Sequence, residues 1–327
     1  ERSVSPRERN RPMRQFLIRR FFFSIVTLIT ATLVVFTLSR LSGDPLLLYA
    51  KPGGYGVLPA QVEALEQKLG LDKPLVFQYF IWLGQVVRGD LGNTLLSESP
   101  VTSVIGDKLG PTIKLGLAAW VFAVVLGVPL GVFSAVKRGT FLDYLGRGFA
   151  LFGQALPVFW IGIMAILIFA VNLEWLPSGT LPSHEPLSVQ WKHFVLPTIA
   201  LGWLPAAVYV RLTRSAMLEV LDSEFVKLAR AKGVRGQTII WKHALRNALI
   251  PPITVSALVM ASFLEGSVVV ESVFSWPGLG RQAVESIFNN DFPLLTGIVL
   301  LFAVLYVVMN IIADLLYVVV DPRIRLN

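Results

Sequence analysis

The sequence predicts an all-α polytopic membrane protein with six transmembrane helices and cytoplasmic N- and C-termini, and three observations carry that prediction. Of its 327 residues, 54% are hydrophobic and only 15% charged, against roughly 45–50% and about 25% in soluble domains; mean hydropathy is +0.65. The apolar residues fall into uncharged runs close to the ~20 residues that cross a bilayer. Lys and Arg are unevenly divided between the segments that join those runs.

In chain order the uncharged runs are Phe21–Ser39, Leu115–Val136, Gly148–Leu173, Phe194–Val210, Asn247–Leu264 and Phe292–Ala313. All but the fourth reach the ~18 residues that mark a span. The fourth has 17 residues and contains Pro197 and Pro205, which are tolerated in a membrane helix where neighbours satisfy the freed carbonyls. A further apolar stretch, Pro74 to Val87, is shorter and carries Gln78 and Gln85; it reads as an interfacial or soluble helix.

With the N-terminus inside, the inner segments hold 20 Lys and Arg and the outer segments nine, whereas acids number seven inside and twelve outside. The positive-inside rule therefore sets the orientation, and it accounts for the +8 net charge without nucleic acid. The opening run of Arg followed by apolar residues has the layout of a secretory signal, but no small-residue cleavage site follows Ser39, so an uncleaved first span is expected. Residues 1–15 read as a disordered basic tail, 16–39 as the first transmembrane helix, 40–112 as an external loop subdomain and 113–327 as a five-helix core with a cytoplasmic loop at 215–246.

The external loop is too long for a hairpin connection and is expected to fold as a small unit. Within it, Pro59–Gly70 reads as a short amphipathic helix with Pro near its start and Gly past its end. It suits a cap over the mouth of the bundle, or a dock for an external partner.

Several chemistries are excluded. There is no cysteine, hence no thiolate metal site or cysteine nucleophile. The three histidines, His184, His193 and His243, form no HExxH or similar spacing, so no protein-built metal site is expected. No histidine falls inside a span, which argues against a Ser–His hydrolase at membrane depth. No GxxxxGK[ST] loop exists to cradle nucleotide phosphates. An ion-coupled carrier or channel would call for paired ionisable groups or repeated halves; neither is evident.

The inner loop between the fourth and fifth spans holds Leu221-Asp222-Ser223-Glu224-Phe225-Val226-Lys227-Leu228-Ala229-Arg230-Ala231-Lys232-Gly233. Asp222 or Ser223 can cap a helix, Glu224 and Lys232 suit its positive and negative ends, and Gly233 can take a left-handed stop. This predicts a helix over Glu224–Lys232, with a second helical stretch from Gln237 to Leu249 running into Pro251-Pro252. Such a helix has the right shape to seat in a groove of a partner and transmit a push; a solvated loop whose basic residues face lipid headgroups fits as well.

Within the spans, Glu265 lies about one turn beyond the middle of an apolar run, in Ser262-Phe263-Leu264-Glu265-Gly266-Ser267. Intramembrane carboxylates cost enough to be functional-site hypotheses, so Glu265, Ser262 and Asp314 in the last span are the candidates for a translocation path. A place near the outer end, in water or paired across a subunit interface, for Glu265, and pairing with an inner-loop Arg or Lys for Asp314, are the structural alternatives. Phe274 and Trp276, in a Pro/Gly turn after Glu271, read as an interfacial anchor.

Ala229-Arg230-Ala231-Lys232-Gly233-Val234, followed by His243-Ala244-Leu245-Arg246-Asn247-Ala248-Leu249-Ile250-Pro251, resembles the cytoplasmic coupling loop of ABC importer permeases of the dipeptide/oligopeptide/nickel group. Leu41-Ser42-Gly43-Asp44-Pro45, Leu69-Gly70-Leu71-Asp72-Lys73-Pro74, Arg88-Gly89-Asp90-Leu91-Gly92, Leu156-Pro157-Val158-Phe159-Trp160, Phe274-Ser275-Trp276-Pro277-Gly278-Leu279-Gly280 and Asp321-Pro322-Arg323-Ile324-Arg325 agree with that group. The long first outer loop resembles its B-type subunit. One departure stands out: where general importers carry Glu-Ala-Ala before the glycine, this chain has Lys227, Leu228 and Ala229.

The resemblance implies the type I importer permease fold in a bacterial or archaeal cell membrane. It implies half of a translocation path for peptides, with outlying members taking nickel, glutathione or sugars. It also implies partners: a second permease, two cytoplasmic ATPases that bind ATP and Mg, and an external binding protein that meets Glu271, Phe274 and Trp276. This chain itself would bind no cofactor. Coupling to the ATPases is implied for Asp222, Ser223, Glu224, Phe225, Lys227, Leu228, Ala229, Arg230, Ala231, Lys232, Gly233 and Val234.

Overall fold

The computed structural model describes residues 11–41, 73–182 and 187–320. Their regular structure is helical, apart from one isolated antiparallel bridge between Asn93 and Pro100. Helix α1 (Arg11–Leu41) carries the first apolar run. It begins inside the expected tail, because Pro12 in a first turn loses no hydrogen bond and Met13, Arg14 and Gln15 are good helix formers. The rest of the tail and the expected helix Pro59–Gly70 lie outside the described residues, as does His184.

Helix α2 (Leu75–Val87) is the expected short helix, and α3 (Val101–Val136) carries the second run with Pro111 and Pro129 inside it. The third run is not one straight span, as its lack of charge suggested. It is split between α4 (Phe141–Ala155) and α5 (Val158–Ala165), which continues as a π-helical turn over Ile166–Asn172. The two arms, Phe141–Ala155 and Val158–Asn172, meet at 106°. Pro157 is the cause: its ring excludes the helical conformation at the preceding residue, and Leu156 is extended at φ −89°, ψ 129°.

Pro197 and Pro205, by contrast, sit inside one unbroken helix, α6 (Leu187–Leu221). Helix α7 (Glu224–Ala231) follows, then α8 over Gly236–Ala248, whose middle, Ile239–Ala244, is π-helical. Helix α9 (Ile250–Val273) starts with its prolines in the first turn and bends 48° from α8. Helices α10 (Leu279–Phe288) and α11 (Phe292–Val320) complete the described chain. Among the described residues four helices are long and apolar enough to cross a membrane, or six spans if each bent pair counts as one.

The chain divides into two compact units, Glu1–Gly110 with Gln282–Val307 and Leu326–Asn327, and Pro111–Arg281 with Val308–Arg325. In the first, Tyr79 and Trp82 of α2 pack on Phe36 of α1. Buried Asp291 accepts the Leu294 amide at 3.3 Å and the Leu95 amide at 3.1 Å, tying the loop before α3 to the start of α11. In the second, Leu115, Ala119, Ala200, Ala206, Tyr209, Phe263, Phe274 and Trp276 form the core. Small residues let its helices approach closely, the usual basis of helix association where lipid is as apolar as the protein. A Cβ added at Gly127 would lie 2.6 Å from Tyr209 Cβ, and one at Gly131 2.7 Å from Thr213 Cβ.

Candidate coupling site

Helix α7 is the short helix expected in the inner loop, ending one residue early with Lys232 as its C-cap. Gly233 takes the left-handed stop at φ +73°, its amide bonding to Arg230 O at 3.0 Å, while Val234 N reaches Ala229 O at 3.2 Å. No heavy atom lies within 4 Å of a Cβ placed on Gly233, so backbone conformation alone demands glycine there. The N-terminus differs from expectation. Ser223 is the N-cap in extended conformation, but neither it nor Asp222 caps the first-turn amides through a side chain; Ser223 Oγ turns back to donate to Val220 O at 2.5 Å. That bond closes the turn after α6 and so fixes the angle at which α7 leaves.

Val226 is completely buried and anchors α7 against α6 and the π-helical part of α8. The other faces of α7 are open. Phe225 is 46% and Leu228 57% exposed, one helical turn apart on a single face. Glu224 and Lys227 pair at 2.8 Å, but both are exposed, and such a pair adds little to stability. Arg230 and Ala231 are exposed, and Ala229 is half-buried.

Beside α7 the ends of α3 and α6 are joined to α8 by an apolar cluster of Val132, Ala135, Ala216, Met217, Ala244 and Ala248. Next to it lies a polar group that sequence reasoning missed. Asp143, in the first turn of α4, is 1% exposed. Its Oδ1 accepts Arg214 Nε and Ser134 Oγ, both at 2.8 Å, and its Oδ2 accepts the Gly139 amide at 3.0 Å and an Arg214 terminal nitrogen at 3.3 Å. Arg147 stands 3.5 Å away at the surface. One carboxylate thus ties α3, α4, α6 and the turn between α3 and α4. Arg214 belongs to the last turns of α6, the helix that leads into α7. Nothing in sequence links positions 71 residues apart. By contrast the Gly127-x-x-x-Gly131 spacing, a close-packing signal in an apolar helix, was legible and was overlooked.

The other expected site residues are placed differently. Phe274 is 1% exposed and Trp276 and Glu271 are fully buried, so the interfacial anchor expected of the two aromatics is not there. Instead Trp276 Nε1 donates to Pro111 O at 3.1 Å and its ring meets Phe194 edge-on at 4.6 Å. Glu271 Oε2 accepts the amides of Gly280 at 2.6 Å and Arg281 at 3.1 Å, folding the Pro/Gly turn back onto α9. Ser262 is exposed and donates to Val259 O at 2.7 Å. Asp314 is half-buried in α11. Glu265 lies within α9, and its side chain is outside the described set. The structure therefore places the coupling-loop residues on and immediately beside one short helix. His193 Nδ1 bonds to Gly179 O at 2.8 Å.

A family model described as the inner membrane component of binding-protein-dependent transport systems matches residues 127–326, and one for the N-terminal part of such membrane components matches residues 13–116. The chain is 39% identical to the dipeptide transport system permease protein of Escherichia coli, with 96% of this chain and 99% of that one covered. It is 40% identical to the oligopeptide transport system permease protein of Bacillus subtilis, covering 96% and 100%. The glutathione transport system permease protein of Pectobacterium atrosepticum is 39% identical over 96% and 99%. Among solved structures, the MetNI methionine ABC transporter in an inward-facing conformation aligns with a TM-score of 0.55 at 18% identity, covering 67% of this chain and 97% of that one; this likeness is one of fold.

Proposed function

This chain belongs to the family of inner membrane components of binding-protein-dependent transport systems, and from that premise we propose that it forms half of the path by which an ATP-driven importer admits peptides. It is the B-type permease of such a system. In this reading it crosses the bacterial inner membrane six times with both termini inside. A second permease completes the path, two cytoplasmic ATPases drive it, and an external binding protein delivers the substrate. ATP and Mg belong to the ATPases. Peptides are favoured because the dipeptide, oligopeptide and glutathione permeases are all similar over nearly the whole chain.

Coupling runs through α7 and its flanks, residues 222–234. The observation that carries this is the exposed pair Phe225 and Leu228 on a helix pinned from behind by Val226 and stopped by Gly233. A solvated loop gains nothing by presenting two large apolar side chains to water, whereas a helix seated in a partner's groove uses such a turn-spaced pair as anchors. Glu265, Ser262 and Asp314 remain the proposed path residues, on the cost of carrying a carboxylate within a span. Contact with the binding protein is proposed for the Glu271–Trp276 turn, and the burial of its three named side chains leaves the turn's backbone and neighbours to make it.

Purification of the tagged chain in mild detergent, with mass spectrometry of what accompanies it, tests the assembly. Recovery of a second permease and ATPases is expected. A chain that purifies alone and moves solutes in liposomes without ATP would be a carrier and would defeat the proposal.

A further inference from the structure

Helix α2 is built inside out for a helix in water. From Leu75 to Val87 it has no charged residue. Its two side-chain amides, Gln78 and Gln85, are turned inward or half-buried: Gln78 is 7% exposed and donates to Lys73 O at 2.8 Å. The outward stripe is Val76, Phe77, Phe80 and Val87, between 60% and 78% exposed, with Gly84 between them. At 100° per residue these positions share one side of the helix, and no hydrogen-bonding side chain interrupts them.

The inward face fixes the depth. Tyr79 Oη and Thr32 Oγ1 of α1 share a buried hydrogen bond of 2.9 Å, and Phe36 packs against Tyr79 and Trp82 at 5.5 and 5.6 Å between ring centroids. Thr32 stands twelve residues beyond Arg20, the last charge before the apolar run, or about 18 Å along the helix at ~1.5 Å per residue. That lies within a hydrocarbon layer of about 30 Å. The thirteen residues of α2 reach about 20 Å, too short to cross it.

From this combination we propose that α2 is a membrane-embedded, non-crossing helix whose Val76–Phe77–Phe80–Val87 stripe is covered by lipid acyl chains. Its polar side chains are inside because hydrocarbon cannot satisfy them. Its charged neighbours, Lys73 and Arg88, bracket it where long stems can carry charge back to the headgroups. A packed partner helix is disfavoured by the bulk of the stripe, since helix interfaces in lipid are enriched in small residues and this one is Val and Phe apart from Gly84.

The chain has no cysteine, so single spin labels can be placed on it without background once the accessible cysteines of the other subunits have been replaced. Val76→Cys, Phe80→Cys and Val87→Cys are labelled in the assembled complex in lipid nanodiscs, with Arg138→Cys in the inner loop as the aqueous reference. Collision rates with oxygen, which concentrates in lipid, are compared with those of a water-soluble nickel chelate. Oxygen dominating at all three positions and nickel at Arg138→Cys is the expected result. Nickel dominating along the stripe would put α2 in water, and immobilised labels that meet neither reagent would put a protein against it; either overturns the proposal. Phe77→Cys reads the same stripe should one variant fail to assemble.

Discussion

Removing Arg214 should damage the protein more than removing Asp143, even though the two share one ion pair. Arg214→Ala leaves a carboxylate whose side chain is 2% exposed, still held by Ser134 and Gly139 and with only the surface Arg147 nearby. Stranding a buried charge costs about 3–5 kcal/mol. Asp143→Ala strands instead a guanidinium that is 22% exposed and keeps its 3.1 Å bond to Ser134 Oγ. Partial hydration lowers that cost to about 1–3 kcal/mol, the range for a charged or polar group losing one partner. The double variant Asp143→Leu/Arg214→Met removes both charges and should recover most of the loss, since apolar replacement of a buried pair is often neutral. Thermal unfolding of the purified complex in detergent reads the order. At ~2–4 °C per kcal/mol for a unit of this size, Arg214→Ala should melt about 6–20 °C below the parent and Asp143→Ala about 2–12 °C below. If Asp143→Ala were the worse of the two, or the double variant the worst of all, the carboxylate would not be the hub that ties these helices.

Gly233→Ala should cost about 1–2 kcal/mol for the left-handed backbone alone, and Gly233→Val more; with open space around the site, Gly233→Asn should restore most function. ATP hydrolysis stimulated by the binding protein checks the series, and normal uptake by Gly233→Val would remove the stop from the coupling account. Gly131→Leu should cost 1–3 kcal/mol or more from overpacking, because a Cβ there would also lie 2.8 Å from Val210 O; the yield of folded protein on size exclusion reports it. Glu265→Gln should reduce uptake of cationic peptides while sparing neutral ones, and equal uptake of both would leave Glu265 a structural role.

Much of the fold was legible because its signals are local. Uncharged runs find membrane helices, and α7 was bounded by an acidic start and a glycine stop, both realised at Glu224 and Gly233. What failed were features whose outcome depends on partners. Pro197 and Pro205 sit inside the unbroken helix α6 whereas Pro157 breaks its run by 106°, and the residue type alone does not say which prolines will interrupt a helix. Phe274 and Trp276 read as an interfacial anchor from composition, yet the hydrogen bond to Pro111 O and the Phe194 ring draw Trp276 inward. Asp143 carries no local signal of its role, because the partner that buries it, Arg214, comes from α6.

The central claim is that α7 seats in an ATPase subunit and carries its movement into the membrane helices. Single cysteines at Phe225 and Leu228 of the cysteine-free chain, each cross-linked in the assembled complex to cysteines around the expected groove of the ATPase, test it directly. Cross-links at both positions, with ATP-driven uptake arrested when they form and restored on reduction, are the predicted result. Absence of cross-links at both positions in an intact, transporting complex would contradict the account.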